Sequence, residues 1–200
     1  MTVTTAKTLL ELAGADLRPP APDQACLVLI DLQNEYCAGP IAVAGVEAAV
    51  ARAAQLLARA RERGVPVFHI VHRGKAGGMF DPDGARGRII GAVAPVAGEA
   101  VIGKTLPNAF AGTDLAARLT ATGRTNVVVA GFMTHMCVSS TARAALDLGF
   151  RATVDAAACA SRDLPDGRGG SIDARTIHDV ALAELADRFA IVVRDGDGLW

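Results

Sequence analysis

Apolar runs that alternate with segments of helical period are the feature that most constrains the fold of this 200-residue chain. The apolar runs lie at 26–32, 65–71, 100–103, 126–132, 151–157 and 189–193. The helix-like segments lie at 45–64, 114–123, 138–149 and 173–188. This rhythm is typical of an α/β fold, and continuous rather than alternating apolar runs indicate strands buried on both faces. We therefore predict a parallel sheet with helices on both sides, a three-layer αβα arrangement.

The composition favours a globular protein and argues against two classes of partner. Hydrophobic residues make up 51% of the chain, charged residues 20%, and the net charge is −1. Without a basic patch or an apolar stretch of about 18 residues, we expect no nucleic-acid partner and no membrane partner. No long linker divides the chain, so we predict a single domain over 1–200, with 1–22 as an N-terminal helical extension. This extension could pack on the body or on a partner subunit.

The N-terminus and the cysteines bear on the location of the protein. Residues 1–20 include Glu11 and Asp16 and lack the apolar centre of a secretory signal. The four cysteines are widely spaced and form no CxxC pair: Cys26, Cys37, Cys137 and Cys159. We therefore expect free thiols and a cytoplasmic protein.

Three reactive side chains stand at the ends of predicted strands. Asp31 lies near the end of the first apolar run, Lys104 follows the third, and Cys137 follows the fourth, directly before a helix-like segment. Each has an ordinary explanation by itself, as a turn former, a solvated cation or a small buried residue. Ligands of open α/β sheets bind at the carboxyl ends of the strands, where these residues would meet. Together they therefore predict a catalytic site.

The chemistry of this set is coherent. The thiolate of Cys137 would be the nucleophile, and a cation and a helix N-terminus lower a cysteine pKa from its usual value of roughly 8.5. We therefore expect Lys104 to lower the pKa of the thiol. Asp31 could accept the thiol proton and later pass it to a leaving group. The Cys137 backbone N–H, at a helix start, would bind an oxyanion.

Three segments carry a resemblance to a known family. DLQNEY (31–36), GKTLPNAF (103–110) and GFMTHMCVSSTARAALDLGF (131–150) resemble the signature segments of the isochorismatase-like cysteine hydrolases, and the similarity extends over about 26–193. The resemblance implies a six-stranded parallel sheet in the order 3-2-1-4-5-6. It implies an Asp–Lys–Cys triad of Asp31, Lys104 and Cys137, which hydrolyses a small-molecule amide or carbamoyl C–N bond through a thioester. It also implies a homo-oligomer, dimeric or tetrameric.

The same resemblance predicts the surroundings of the triad. It places a cis peptide at Phe132–Met133, with the Met133 N–H turned toward the oxyanion beside that of Cys137. Residues that flank the triad segments are candidates for substrate contact: Gln33, Tyr36, His72, Arg73, Phe110 and Phe132. Tyr36 and Phe110 could equally be aromatic residues at the edge of the core. The glycine-rich loops 73–87 and 160–173 are candidate lids.

The nicotinamidases of this family hold a metal ion through an Asp and several His after the first helix, and this chain can be compared with that pattern. The segment 45–64 contains neither residue. His69 and His72 are three residues apart on a predicted strand, so their side chains point to opposite faces. We therefore expect no metal ion and no other cofactor. We assign His69 to the core and His72 to the pocket wall.

Two alternative functions remain open from the sequence. Isochorismatase-type hydrolysis of a vinyl ether needs Asp31 as an acid and does not need the thiol. A redox-sensing binding protein would use Cys137 as an activated thiol, because thiols of low pKa oxidise readily. Such a sensor has no evident need of a proton-shuttling carboxylate, so the presence of Asp31 favours the enzyme.

Overall fold

The computed structural model describes residues 6–194 and 198–200, and its centre is a six-stranded parallel sheet. The strands are β1 (Ala25–Ile30), β2 (Val67–His72), β3 (Ala100–Lys104), β4 (Asn126–Phe132) and β5 (Arg151–Ala160), a short hairpin of β6 (Leu164–Pro165) and β7 (Ser171–Ile172), and β8 (Ala190–Val193). The sheet has the order β3-β2-β1-β4-β5-β8, and every neighbouring pair in it is parallel. Since β8 is the sixth strand of this sheet, the predicted order 3-2-1-4-5-6 is confirmed.

In the part of the chain that the structure describes, six α-helices connect or flank the strands. They are α1 (Leu9–Leu12), α2 (Glu35–Ala38), α3 (Val46–Glu62), α4 (Leu115–Ala121), α5 (Ser139–Asp147) and α6 (Ala174–Arg188). A π-helical turn, Thr134–Val138, directly precedes α5. The four long helices predicted from periodicity are all present and begin or end within a few residues of the predicted limits. Over 6–194 and 198–200, no helix is long and apolar enough to cross a bilayer.

The two faces of the sheet bury separate hydrophobic clusters. Alternate residues of β1 point to opposite faces, so Leu29 joins the cluster beneath α3 while Val28 joins the cluster beneath α4, α5 and α6. Only some alanines of the alanine-rich helices α3 and α5 face inward, while Ala48, Ala51 and Ala58 of α3 are exposed. Ala53 of α3 and Ala142 of α5 are fully buried against the two faces of the chain's own sheet.

The N-terminal extension lies on the body of the protein. Its helix is the single turn α1, which a capping box between Thr8 and Glu11 begins. The Leu9 N–H donates a 2.9 Å hydrogen bond to Asp187 Oδ1 at the end of α6. The part of the predicted extension at 1–5 lies outside the described residues.

One glycine brings β4 close to β1 at the carboxyl edge of the sheet. Gly131 has φ +126°, a conformation that favours glycine, and a Cβ there would collide with the Ile30 carbonyl oxygen. The pairing of β4 with β5 also shifts register between Val129 and Gly131. This irregularity lies just before the segment that carries Cys137, at the edge where Asp31 also emerges.

Candidate active site

The carboxyl ends of β1, β3 and β4 bring three predicted residues together. Asp31 follows β1, Lys104 is the last residue of β3, and Cys137 lies in the π-helical turn after β4. Lys104 Nζ is 2.6 Å from Asp31 Oδ2 and 3.4 Å from Cys137 Sγ. All three residues are at most 3% exposed. The ammonium therefore lies between the carboxylate and the thiol, shielded from solvent.

The backbone at Asp31 turns the chain out of the sheet. Asp31 has φ 50°, in the left-handed region that aspartate tolerates better than most residues. Its N–H still donates to the Ile70 carbonyl at 2.9 Å, and its carbonyl accepts from the Gln33 N–H at 2.8 Å. Asp31 Oδ1 is buried and has no hydrogen-bond partner among the described residues, although the Cys137 thiol and the His72 N–H lie close enough to the carboxylate to lower its pKa.

Burial dominates the electrostatics of the site. It raises the pKa of the Cys137 thiol to about 12, the Asp31 charge adds to this rise, and the Lys104 charge opposes it. The predicted lowering of the thiol pKa is therefore wrong. The physical reason is that desolvation outweighs the single cation, whose charge Asp31 already pairs. Burial also raises the pKa of the Asp31 carboxyl, again with Lys104 opposing. The site thus combines a protonated thiol with a carboxylate of increased proton affinity.

The segment before Cys137 contains the predicted cis peptide, but Cys137 itself does not lie at the first residue of a regular helix. The Phe132–Met133 peptide is cis, at the position that the family resemblance predicts. The Met133 carbonyl accepts from the N–H groups of Met136 and Val138, at 3.0 and 3.2 Å, which closes the π-helical turn. Cys137 therefore lies inside this turn, two residues before α5, rather than at the first residue of a regular helix. Among the described residues, no group accepts a hydrogen bond from the Met133 N–H.

Gln33 has a structural role in place of the predicted substrate contact. Its Nε2 donates to the carbonyls of His72 and Gly87, at 3.0 and 2.7 Å, and its Oε1 accepts from the His72 N–H at 2.8 Å. The residue is 1% exposed. Because backbone groups use both ends of the amide, Gln33 ties the segment after β1 to the end of β2.

Tyr36 and Phe132 belong to an aromatic cluster beside the triad. The Tyr36 ring centroid is 5.3 Å from that of Phe80 and 5.4 Å from that of Phe132. Burial raises the pKa of the Tyr36 phenol, and the Asp31 charge raises it further. Phe132 is fully buried. The cluster closes one side of the site, with Phe80 contributed by the loop 73–87.

Hydrogen bonds fasten the loop 73–87 to the segment after β1. The buried Glu35 carboxylate accepts from the Phe80 N–H at 3.1 Å, and the Asn34 side chain donates to the Ala85 carbonyl at 3.0 Å. The Phe80 ring packs against His72, with centroids 5.0 Å apart. The loop therefore covers the end of β2 in this structure.

The remaining predicted wall residues occupy different places. Arg73 lies across β3, where a Cβ on Gly103 would collide with its guanidinium. Phe110 stacks on Phe150, with centroids 6.0 Å apart and planes at 11°. Phe110 packs on the cluster beneath α4, α5 and α6, so the alternative of an aromatic residue at the core edge describes it.

A polar cluster of His135, Ser161 and Arg162, which the sequence does not reveal, lies near Tyr36. His135 Nδ1 is 3.1 Å from Ser161 Oγ, while His135 Nε2 and Arg162 Nε are buried and without hydrogen-bond partners among the described residues. The Arg162 charge influences the pKa of both His135 and Tyr36, which lies beside the triad. The loop 160–173 is one of the two candidate lids, but a single arginine in a charged loop shows no pattern in sequence.

His69 and His72 have separate environments. His69 is 2% exposed, and its Nε2 is 2.9 Å from Glu99 Oε2, as predicted for a core histidine with a satisfied ring. His72 is the cross-strand neighbour of Lys104, and its Nδ1 is 3.4 Å from Lys104 Nζ. No three His, Cys, Asp or Glu side chains within the described ranges are grouped to hold a metal ion.

Comparisons with known proteins agree with this fold. The isochorismatase domain model matches residues 25–196. A crystal structure of an isochorismatase from Pseudomonas putida superimposes with a TM-score of 0.91 at 42% identity, covering 94% of this chain and 97% of that one. The secreted isochorismatase effector of Verticillium dahliae is 36% identical over 86% of this chain and 88% of its own length. Streptothricin hydrolase of Streptomyces noursei is 38% identical over 82% of this chain and 57% of its own length. On these similarities, which span all six strands of the sheet, the chain belongs to the isochorismatase family.

Proposed function

We propose that the protein hydrolyses a C–N amide or carbamoyl bond of a small molecule through a thioester on Cys137. The observation that carries the proposal is the buried Lys104 ammonium, 2.6 Å from Asp31 Oδ2 and 3.4 Å from Cys137 Sγ. Relatives named maleamate amidohydrolase and ureidoacrylate amidohydrolase support amide hydrolysis as the reaction type.

The first half of the reaction forms the thioester. Asp31 takes the proton from Cys137 Sγ as the sulfur attacks the amide carbonyl, so no free thiolate needs to exist beforehand. This order suits a thiol whose pKa is about 12 next to a carboxyl whose pKa burial has raised. Lys104 balances the negative charge while the proton moves. The C–N bond then breaks, and Asp31 gives its proton to the departing amine.

The second half regenerates the enzyme. Asp31 accepts a proton from water as the water oxygen attacks the thioester carbonyl, and the C–S bond breaks to release the carboxylic acid. The sulfur then regains a proton from Asp31. In both halves the oxyanion would bind the N–H groups of Met133 and Cys137. The Met133 N–H is available for this role because no described residue accepts from it.

The electrostatics argue against a redox sensor. A sensor thiol oxidises readily when its pKa is low, whereas burial and the Asp31 charge raise that of Cys137 to about 12. Hydrolysis of a vinyl ether would use Asp31 as the acid and leave the thiol without a role. Removal of the thiol should therefore abolish amide hydrolysis through a thioester but leave hydrolysis of a vinyl ether intact.

A cysteine substitution with a matched control tests the proposal. Cys137→Ala should lower amide turnover by several orders of magnitude, because the nucleophile is lost from a unit that acts together. Cys37 is exposed and lies outside the triad, so Cys37→Ala should leave turnover within about threefold of wild type. Ammonia release would be measured on neutral amides and on amides that carry a carboxylate. The second group is included because the buried Arg162 Nε lacks a partner among the described residues and could donate to a substrate carboxylate.

Intact-mass analysis of quenched reactions provides the second measurement. Wild type and Cys37→Ala should gain the mass of the acyl group, and Cys137→Ala should not. Amide turnover of Cys137→Ala within about tenfold of wild type would exclude the covalent mechanism. Retained hydrolysis of a vinyl ether by Cys137→Ala, with no amide turnover by wild type, would support the isochorismatase reaction instead. A reversible peroxide-dependent mass change without any turnover would support the sensor.

A further inference from the structure

The Lys104 ammonium has three N–H groups and, among the described residues, three polar side-chain atoms within hydrogen-bonding distance. Besides Asp31 Oδ2 at 2.6 Å and Cys137 Sγ at 3.4 Å, His72 Nδ1 lies 3.4 Å from Nζ. The Lys104 side chain is 0% exposed, so water does not replace a missing acceptor. With only two acceptors, one N–H of this buried ammonium would be unsatisfied, and the group could rotate between alternative orientations.

We propose that His72 is a positioning residue, whose Nδ1 accepts the third N–H of Lys104 and so directs the other two at Asp31 and Cys137. This role differs from that of a pocket wall, because it acts through Lys104 and needs no contact with substrate. It rests on the proposed function only in its kinetic test. The geometry defines the tautomer as well, since Nδ1 must carry the lone pair and Nε2 the proton.

The sheet and its neighbours hold His72 in place. In the parallel pairing of β2 with β3, His72 is directly opposite Lys104. Gln33 binds both the N–H and the carbonyl of His72, at 2.8 and 3.0 Å. The Phe80 ring packs against the imidazole in an edge-on arrangement, with centroids 5.0 Å apart. Backbone and ring are thus both restrained, as a residue that orients a cation requires.

The electrostatic environment keeps the imidazole in the form that can accept. Burial, and then the Lys104 charge, lower the pKa of His72. The ring is therefore neutral at neutral pH, and its Nδ1 lone pair is available.

Two amide variants distinguish Nδ1 from the rest of the ring. In His72→Asn the side-chain oxygen occupies the position of Nδ1, whereas in His72→Gln it extends to the position of Nε2. We expect His72→Asn to retain kcat within about fivefold and His72→Gln to lose about ten- to hundredfold, with KM within about threefold in both, because only the transition state requires the oriented ammonium. His72→Leu, which has no acceptor, should resemble His72→Gln.

Several outcomes would overturn the proposal. Equal loss in His72→Asn and His72→Gln would show that the ring packs against Phe80 and does not act through Nδ1. A rise in KM with unchanged kcat would place His72 in substrate binding. If His72→Leu does not fold, the Asn and Gln pair still decides between these cases.

A crystallographic comparison separates this proposal from the proposed function. In His72→Gln, Lys104 Nζ should move away from Cys137 Sγ or Asp31 Oδ2, while His72→Asn should keep both distances. Unchanged positions of Nζ in His72→Gln would refute the positioning role. If wild type turns over no amide, the proposed function fails, and this structural comparison still tests His72.

Discussion

Removal of the Lys104 charge tests the electrostatics of the site most directly. The side chains of Lys104 and Asp31 are both 0% exposed and form a 2.6 Å ion pair. Lys104→Met keeps the length and apolar stem of the side chain but leaves the Asp31 carboxylate buried without its cation. A buried charge that loses its partner destabilises a protein by about 3–5 kcal/mol. We expect the free energy of unfolding of Lys104→Met to fall by this amount at neutral pH.

The loss should depend on pH in a defined direction. Burial raises the pKa of the Asp31 carboxyl, and in the variant no lysine opposes that rise. A carboxyl whose pKa in the folded protein exceeds its unfolded value of 3.8 contributes stability below that value, and this stability is lost as pH rises toward the folded pKa. The slope is about 1.4 kcal/mol per pH unit. Between pH 5 and pH 7, Lys104→Met should therefore lose more stability than wild type, by at most about 1.4 kcal/mol per pH unit.

Urea unfolding at pH 5, 6 and 7 measures this difference. The control is the double variant Lys104→Met with Asp31→Asn, because asparagine is neutral and tolerates the φ of 50° at position 31. The double variant should show no added pH dependence and should recover most of the loss at pH 7. A loss in Lys104→Met that is the same at pH 5 and pH 7 would refute the conclusion that an unpaired Asp31 carboxylate is its cause.

Two further predictions concern stability at residues outside the triad. Arg61 holds the pKa of Glu99 at about 2, so Glu99 contributes stability above its unfolded pKa of 4.5 that is lost as pH falls toward 2. Glu99→Gln should therefore lower the free energy of unfolding in urea by about 1–2 kcal/mol at pH 7, a value reduced for solvent screening, and a difference that persists undiminished near pH 2 would contradict this cause. Gly131→Ala should lower the free energy of unfolding by more than roughly 2 kcal/mol, because the added Cβ would collide with the Ile30 carbonyl and φ is positive. Gly123→Ala, with φ +73° and open space around the Cβ, is the matched control at about 1 kcal/mol, and equal costs would refute the steric argument.

Most of the secondary structure could be predicted because its causes are local. The apolar run at 126–132 corresponds to β4 at Asn126–Phe132, and the periodic segment at 45–64 corresponds to α3 at Val46–Glu62. The π-helical turn at Thr134–Val138 was not predicted. It depends on the Met133 carbonyl, which accepts hydrogen bonds from two N–H groups. The spacing of apolar residues in a sequence does not reveal such an arrangement.

The site shows the same division between local and distant causes. Asp31, Lys104 and Cys137 were selected because parallel strands deliver their carboxyl ends to one edge. The roles of the flanking residues were predicted less well, since Gln33 is used by backbone groups 39 and 54 positions away in the chain. The pKa of Cys137 was predicted in the wrong direction because charge can be counted in a sequence, whereas desolvation depends on what covers the thiol.

By itself, the sequence determined the class of fold and the chemical types at the carboxyl edge. Apolar runs of strand length and periodic helices allow few ways to bury both faces of a sheet, and the positions of an acid, a cation and a thiol follow from the strand ends. The tertiary structure alone decided the electrostatic state of those groups. It buried the thiol so that its pKa rises to about 12, and it placed His72 opposite Lys104 across the β2–β3 pair. Both results come from contacts between distant segments, whose distances and solvent exclusion are properties of the packed molecule.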